Sequence, residues 1–424
     1  MPSKKGTGWL MRNPIMHTLV TLTGNPRACL WTEPLFGVPF NLFTPLAAVY
    51  MAALGLDPFM IGVVATVFLA SQTVCAALGG VVTDKLGRRL TTAIFDIFAW
   101  IVPSVLWAVA QGPLAFVLAA FFNGFWRLTE TSWSLLMTED AEPGKIIHLY
   151  AITNIAGLIA GFVSPLTYLF VRHYSLVTTM RWLYALMALC MTIKTVLVYV
   201  MSTETQVGLR RLEENRGVSI LSRLVESRFV LGRMFRERHI MLTIGLVAAF
   251  MLIKSVNDNF LPLLFTEKLG IPEENLSLFN TLRTLVMLVF YFVLVPRMDV
   301  RRFKKPLVGA MALLLAVDAV YFFLREGAMA LIVVNVLMEA AALSILTPLL
   351  ASLNMQVLDK EERARMFAFS LMMALLITTP FGTVAGWLSR LDRGLPMLLN
   401  IALAALSIGL ALRLDHILLD DDLI

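Results

Sequence analysis

The sequence predicts an all-α integral membrane protein of twelve transmembrane helices in two pseudo-symmetric six-helix bundles. Three observations predict it. Residues AVILMFWYC make up 58% of the 424-residue chain, charged residues only 15%, and mean hydropathy is +0.78. Soluble domains carry about 45–50% apolar and roughly 25% charged residues, and polar residues this scarce could not cover a soluble surface. Apolar runs long enough to cross a bilayer core, about 20 residues, recur twelve times. The charges gather in the short gaps between those runs.

The runs fall at 28–53, 58–83, 91–110, 113–137, 147–170, 182–201, 241–265, 276–295, 306–324, 329–356, 366–389 and 394–414. The first contains Pro34, Pro39 and Pro45; neighbouring helices can satisfy the backbone groups that proline frees, so these do not disqualify a span. Residues 1–27 are polar and basic, and the run after them is too long for a signal-peptide core. The expected organisation is a cytoplasmic segment 1–27, a six-helix bundle 28–201, a cytoplasmic linker 202–240, a second bundle 241–414 and a cytoplasmic tail 415–424.

The basic residues orient these spans. With the N-terminus inside, 25 of the 35 Lys and Arg fall on the cytoplasmic side, counting Arg413 at the inner end of the last span, with 6 on outer loops and 4 deeper within spans. That is the positive-inside pattern, so both termini are expected in the cytoplasm and the chain in the plasma (inner) membrane. The net charge of +6 then reflects orientation and not a nucleic-acid partner. The linker holds eight arginines and five glutamates. From Val218 to His239 its apolar residues interleave with Arg223, Arg228, Arg233 and Arg236, which suits either an amphipathic helix on the inner membrane face or a solvated connector.

Chemistry of other classes is not indicated. Cys29, Cys75 and Cys190 are far apart, within apolar stretches and without a CxxC pair, so neither a disulfide framework nor a thiolate metal site is expected. The five histidines are isolated at or beyond span ends, which argues against a metal centre. There is no GxxxxGK[ST] phosphate loop and no nucleophile–base pairing, hence no cofactor and no enzymatic activity are expected.

Six-plus-six organisation invites a search for repeats. The gap after span 2, Asp84 to Arg89, and the gap after span 8, Arg297 to Arg302, are both short and basic, at an offset of 213 residues. The gaps after spans 4 and 10 also correspond, Glu139-Asp140 with Asp359 to Arg363. The stretch Gly80-Val-Val-Thr-Asp84-Lys85-Leu-Gly87-Arg88-Arg89 resembles the signature loop of the major facilitator superfamily, G-x-x-x-D-[RK]-x-G-[RK]-[RK], at every defined position. The second copy is degenerate, with Arg297 in place of the aspartate and Val300 in place of the glycine. The resemblance implies a secondary transporter whose two halves surround a central cavity. It also implies a gating role for Gly80, Asp84, Lys85, Gly87, Arg88 and Arg89; a capped turn is the plainer alternative. Gly87 suits a tight turn, and Asp84 could face both local arginines and a helix N-terminus.

Ionisable side chains within spans are costly and normally face a cavity or a partner. The candidates are Glu33, Asp96, Arg127, Glu130, Lys194, Lys254, Asp258, Arg283, Asp318 and Glu339, six of them in spans 1, 4, 7 and 10, which the resemblance makes the cavity-lining helices. Arg127 and Glu130 (i,i+3) and Lys254 and Asp258 (i,i+4) can each meet on one helix face. Buried carboxylates beside cations can exchange partners or a proton, so Glu130 and Glu339, then Asp258 and Glu33, are the coupling candidates; static pairing of helices is the alternative. Asp96 is expected to belong with the gating loop. Lys194 and Asp318 could form interhelical pairs.

Trp126 and Trp133 bracket Arg127 and Glu130 in an unusually polar span 4. Asn154, Asn257, Asn280, Arg283 and Asn335 add hydrogen-bonding groups. These residues suit a small hydroxyl-rich solute such as a sugar or glycoside, although tryptophan also packs and asparagine also joins helices. Exporters of the superfamily resemble one another in a G-P-x-x-G-G stretch of span 5, and here Gly157, Gly161 and Pro165 match it only in part. The expectation is therefore proton-coupled alternating access for a small polar solute, with a monomer in the bilayer. The alternative is a proton-driven efflux antiporter, and sodium could replace the proton because carboxylates and amide carbonyls ligate hard cations.

Overall fold

The computed structural model describes residues 14–142, 145–216, 232–293, 303–358 and 363–420, and among them there is no strand. The helices are α1 (Pro14–Thr21), α2 (Gly24–Ala53), α3 (Pro58–Leu86), α4 (Arg88–Ala108), α5 (Pro113–Asn123), α6 (Trp126–Thr138), α7 (His148–Tyr174) and α8 (Leu176–Met201). They continue as α9 (Gln206–Glu214), α10 (Arg238–Lys268), α11 (Asn275–Val293), α12 (Lys304–Phe323), α13 (Met329–Gln356), α14 (Met366–Leu391) and α15 (Leu395–Asp420). The expected amphipathic stretch from Val218 lies outside the described residues as far as residue 231. So do residues 297–302 and 359–362.

Helix starts follow local chemistry. Pro58 and Pro113 open α3 and α5, where a missing N–H costs nothing. Asp57 caps α3 by accepting from the Met60 N–H at 2.9 Å. Pro103 cannot donate to the Ala99 carbonyl, and α4 loosens to a π-turn over Ile97–Ile101. The Asn123 amide donates to that carbonyl at 2.7 Å.

Ten helical stretches among the described residues are long and apolar enough to cross a membrane. Two expected spans are not among the ten. Run 113–137 is broken at Gly124–Phe125 into α5 and α6. There α3 comes so close that a Cβ on Gly124 would stand 2.4 Å from the Ser71 side chain, and Ser71 Oγ donates to the Phe121 carbonyl at 2.6 Å. Run 276–295 forms α11, whose described apolar stretch is the shorter Asn275–Phe290. The outside of the bundle is studded with exposed Val109, Leu114, Leu189, Val200 and Phe323, which acyl chains would cover. This is a multi-pass membrane protein.

The cores show how the two parts of the chain meet. At the end of the bundle carrying Asp57, one apolar cluster joins Leu46, Tyr50, Phe116 and Met180 from the first part with Phe260, Leu264, Tyr321 and Ala385 from the second. At the opposite end, carrying Asp84, the clusters are separate: Cys29, Leu136, Met137 and Leu149 in one, Ile244, Met311, Leu346 and Leu353 in the other. The apolar core is therefore shared between the two parts at the Asp57 end and separate at the Asp84 end.

The contact at the Asp57 end relies on glycine. A Cβ on Gly62 would lie 2.4 Å from the Gly382 carbonyl oxygen, and one on Gly386 would lie 2.6 Å from the Pro58 carbonyl oxygen. This lets α3 and α14 touch backbone to backbone. Thr66 and Thr383 hydroxyls bond across the contact at 2.8 Å, and the Thr383 N–H also donates to Thr66 Oγ1 at 2.8 Å. Arg390 and Asp57 approach to 3.6 Å nearby. Gly386→Leu is expected to cost about 1–3 kcal/mol through overpacking. A lower melting temperature in detergent and loss of a cross-link between Thr66→Cys and Thr383→Cys check this; an unchanged cross-link contradicts it.

Candidate functional site

The loop between α3 and α4 is tied to three other segments. Gly87 sits at φ +86°, a left-handed conformation, and a Cβ there would meet Glu204 Oε2 at 2.6 Å; glycine meets both demands. The Glu204 carboxylate accepts from the Arg88 N–H (2.9 Å) and the Arg89 N–H (3.1 Å), so it caps the positive N-terminus of α4. Arg88 is 3% exposed; its guanidinium reaches Asp84 at 3.0 Å and grips Glu139 through Nε at 3.0 Å and a terminal nitrogen at 3.0 Å. Glu139 also accepts from the Thr205 hydroxyl. Arg89 Nε donates to the Tyr199 carbonyl at 2.9 Å and its guanidinium lies 4.0 Å from the Tyr199 ring centre. Lys85 is exposed.

Asp84 pairs with Arg88, one of the local arginines it was expected to face, and the N-terminus of α4 is held by Glu204, which reaches it because Gly87 has no side chain. A Cβ on Gly80 meets nothing within 4 Å, whereas one on Gly79 would meet Thr131 Oγ1 at 2.9 Å; the close helix approach is at Gly79.

Within the first set of spans, the break before α6 starts a polar turn. Arg127 pairs with Glu130 at 2.7 Å, accepts orientation from Gln72 by donating Nε to Oε1 at 3.0 Å, and lies 4.0 Å from the Trp126 ring centre. Glu130 is 47% exposed although it stands mid-span. Lys194 is buried against Glu33 at 2.8 Å, with the Phe36 and Trp133 rings 5.1 and 5.6 Å away. Trp133 thus faces Lys194. Asp96 is buried within Coulombic reach of Lys194 and Glu33, so it belongs to this interior cluster and not to the gating loop.

The second set of spans carries a longer network. Glu339 is 1% exposed and accepts from Arg283 at 2.7 Å, Asn257 at 2.8 Å and the Tyr321 hydroxyl at 3.4 Å. Asn257 in turn accepts from the Asn400 amide at 2.7 Å. Lys254 and Asp258 pair at 2.7 Å with more than half of each side chain exposed, and Lys254 lies in Coulombic reach of Arg283 and Glu339. Glu130, Lys254 and Asp258 are thus mid-span charges with about half of each side chain exposed, and such a charge facing lipid would be costly. Asn335 donates to the Val317 carbonyl at 2.9 Å, a helix-joining bond. Asn154 is exposed and Asn280 half-buried.

The arrangement repeats. Gln72 with Arg127, and Arg283 with Glu339, stand at offsets of 211 and 212 residues, matching the loop offset. Each pair joins the second and fourth expected spans of its half. Sequence reading missed Gln72, Tyr321, Asn400, Glu139 and Glu204 as partners; the signal for Gln72 and Asn400 was an amide amid apolar residues. A cleft lined by Thr21, Asn25, Asp140 and Lys145 lies at the Asp84 end, away from these charges. No group of three His, Cys, Asp or Glu suited to a metal occurs among the described residues.

The sequence profile of the Major Facilitator Superfamily matches residues 35–369. Over 157 residues the chain is 27% identical to "Probable inositol transporter 2" of Arabidopsis thaliana, a match that covers 37% of this chain and 27% of the relative. The chain thus spans about a quarter of that relative's length. Its fold is similar to a D-xylose-proton symporter, with TM-score 0.71 and 15% identity, over 92% of this chain and 96% of the other. It is also similar to the nucleoside transporter NupG, with TM-score 0.69 and 16% identity, over 92% and 99%.

Arg88→Ala would leave Glu139, which is 11% exposed, without its cation. Removing one partner of a buried pair costs about 3–5 kcal/mol. The melting temperature of the purified variant measures this, and Glu139→Gln in the same background is expected to recover part of the loss.

Proposed function

The chain belongs to the Major Facilitator Superfamily, and on that premise we propose that it is a proton-coupled carrier of a small hydroxyl-rich solute, a sugar, a glycoside or a cyclic polyol. One observation carries the reading. Each part of the chain carries a mid-span polar group, Arg127 with Glu130 and Gln72 in the first and Arg283 with Glu339, Lys254 and Asp258 in the second, and in this reading the two groups line one cavity. Hydroxyls donate to carboxylates and accept from guanidinium and amide N–H groups, so a polyol can pair with such a lining at many points. The inositol transporter among its relatives and the D-xylose-proton symporter among its structural neighbours support the same class.

In this reading α5 with α6, and α11, complete the ten apolar stretches to twelve spans. Residues 28–201 and 241–414 are the two bundles, with 1–27, 202–240 and 415–424 in the cytoplasm. The Asp84 end is then cytoplasmic, the structure is inward-facing, and the loop of Gly80, Asp84, Lys85, Gly87, Arg88 and Arg89 is the gate, docked at this stage on Glu139 and Glu204. The solute sits among Trp126, Arg127, Glu130, Asn257, Asp258, Arg283 and Glu339, with Trp133, Asn154, Asn280 and Asn335 flanking. Glu339 is the leading coupling carboxylate because it is buried and its direct ion pair is with Arg283; a solute that draws Arg283 away leaves Glu339 to take a proton. Glu130, Asp258 and Glu33 stand behind it.

A second reading, proton-driven export of an amphipathic compound, draws on Gly157, Gly161 and Pro165 in α7. Gly161 has another explanation: a Cβ there would stand 2.5 Å from Thr284 Oγ1, so it serves the α7–α11 contact.

The test uses the purified protein in liposomes with a pH-sensitive dye inside and a panel of monosaccharides, disaccharides and inositols outside. Solute-driven internal acidification is expected, falling at least about tenfold, or 1.4 kcal/mol, in Glu339→Gln. A silent panel, with accumulation of amphipathic cations under an inward-acid gradient, would transfer the protein to the exporter reading.

A further inference from the structure

Asp318 of α12 is 0% exposed, deep in an apolar span. Its surroundings are Asn400 from α15, Glu339 and Asn335 from α13, and Tyr321 on its own helix. The charged group that reaches it, Glu339, has its own sign, and among the described residues no lysine or arginine forms an ion pair with it. A bare carboxylate there would be very costly. Its Oδ1 takes only a long hydrogen bond, 3.4 Å, from Asn400 Nδ2. The other oxygen of each side chain, Asp318 Oδ2 and Asn400 Oδ1, is buried without a hydrogen-bond partner.

The first half of the chain shows what is missing. Its first, third and sixth spans, α2, α4 and α8, bring together Glu33, Asp96 and Lys194. The corresponding helices of the second half, α10, α12 and α15, bring together Asn257, Asp318 and Asn400. The aspartate of the third span is present in both. The buried lysine beside it is replaced by an amide, so the second half must neutralise its aspartate by another means.

We propose that Asp318 is a proton-binding site, with the neutral acid as the resident form and its Oδ2–H donating to the Asn400 amide oxygen. One hydrogen then satisfies both unpartnered oxygens. The site is wired to the solute pair: Asn400 donates to Asn257, Asn257 to Glu339, and Arg283 to the same carboxylate. When the Asp318 O–H bond breaks and the proton passes to water, the carboxylate needs a donor, and Asn400 supplies it by turning its amide nitrogen away from Asn257. That turn withdraws the donor behind Glu339 and loosens its hold on Arg283. Asp318 is thus a positioning residue whose ligand is a proton. Only this consequence for the solute pair rests on the carrier reading.

The direct test is infrared spectroscopy on the full chain in lipid at neutral pH, with carbon-13-labelled aspartate. A protonated-carboxyl C=O band that shifts with the label and disappears in Asp318→Asn is expected. It should disappear also in Asn400→Lys, where the lysine supplies the cation found in the first half. Asp318→Asn imitates the neutral acid and should keep the wild-type melting temperature, so a loss of the band there is not a loss of fold. Absence of the band in the wild type, as when a buried water bridges an ionised Asp318, overturns the proposal; so does its persistence in Asp318→Asn. Uptake across pH reads the consequence separately: Asp318→Asn should flatten the profile, and an unchanged profile beside a confirmed band overturns the link to Arg283 and Glu339. The band needs no solute, so its outcome is independent of the carrier reading.

Discussion

A charge carried into an apolar bundle must find an opposite charge, a proton or a path to water, and the interior here is organised by that demand. Lys194 is buried against Glu33, and Arg283 against a fully buried Glu339. Glu130, Lys254 and Asp258 retain exposure although they stand mid-span. Buried ion pairs are poor sources of net stability, because desolvation offsets their attraction. In the proposed function their value lies in what they can exchange: a polar solute would offer new partners, and each exchange would change which carboxylate is left to be neutralised.

The backbone serves the same end. Gly62, Gly382 and Gly386 let α3 and α14 touch at one end of the bundle, while the apolar clusters of the two parts are separate at the other. The break at Gly124–Phe125 costs hydrogen bonds that Ser71 partly restores, and it begins the turn that presents Arg127 and Glu130. Gly87 lets the Glu204 carboxylate reach the start of α4, so the loop, the end of α8 and the start of α9 form one charged cluster. The loop is thereby joined to the segment that follows α8.

Much of this was legible in the sequence because its causes are local. Apolar run length anticipated the ten long apolar helices, and helix spacing placed Arg127 beside Glu130 and Lys254 beside Asp258. What escaped were partners set by packing between distant helices. Gln72 and Asn400 look like ordinary amides in apolar runs until α3 meets α6 and α15 meets α10. Asp96 lies about two turns after Arg89 of the α3–α4 loop, but its side of α4 turns inward toward Lys194. Asp84 offered two local arginines, and only the fold shows that Glu204 takes the backbone donors. The uneven run 113–137 reads as one span by hydropathy, since a helix break made by a neighbouring serine leaves no local trace.

In the proposed cycle two parts of one chain rock about a shared cavity, their apolar cores joined in this structure at the Asp57 end and separate at the Asp84 end. Spin-label distances in lipid test this most directly, with one pair at Leu90→Cys and Met355→Cys and another at Val109→Cys and Met329→Cys, all exposed positions. Upon addition of a transported solute, the first distance should shorten while the second lengthens. Two distances that stay fixed under every solute and pH, in protein that still moves solute, would contradict the rocking mechanism.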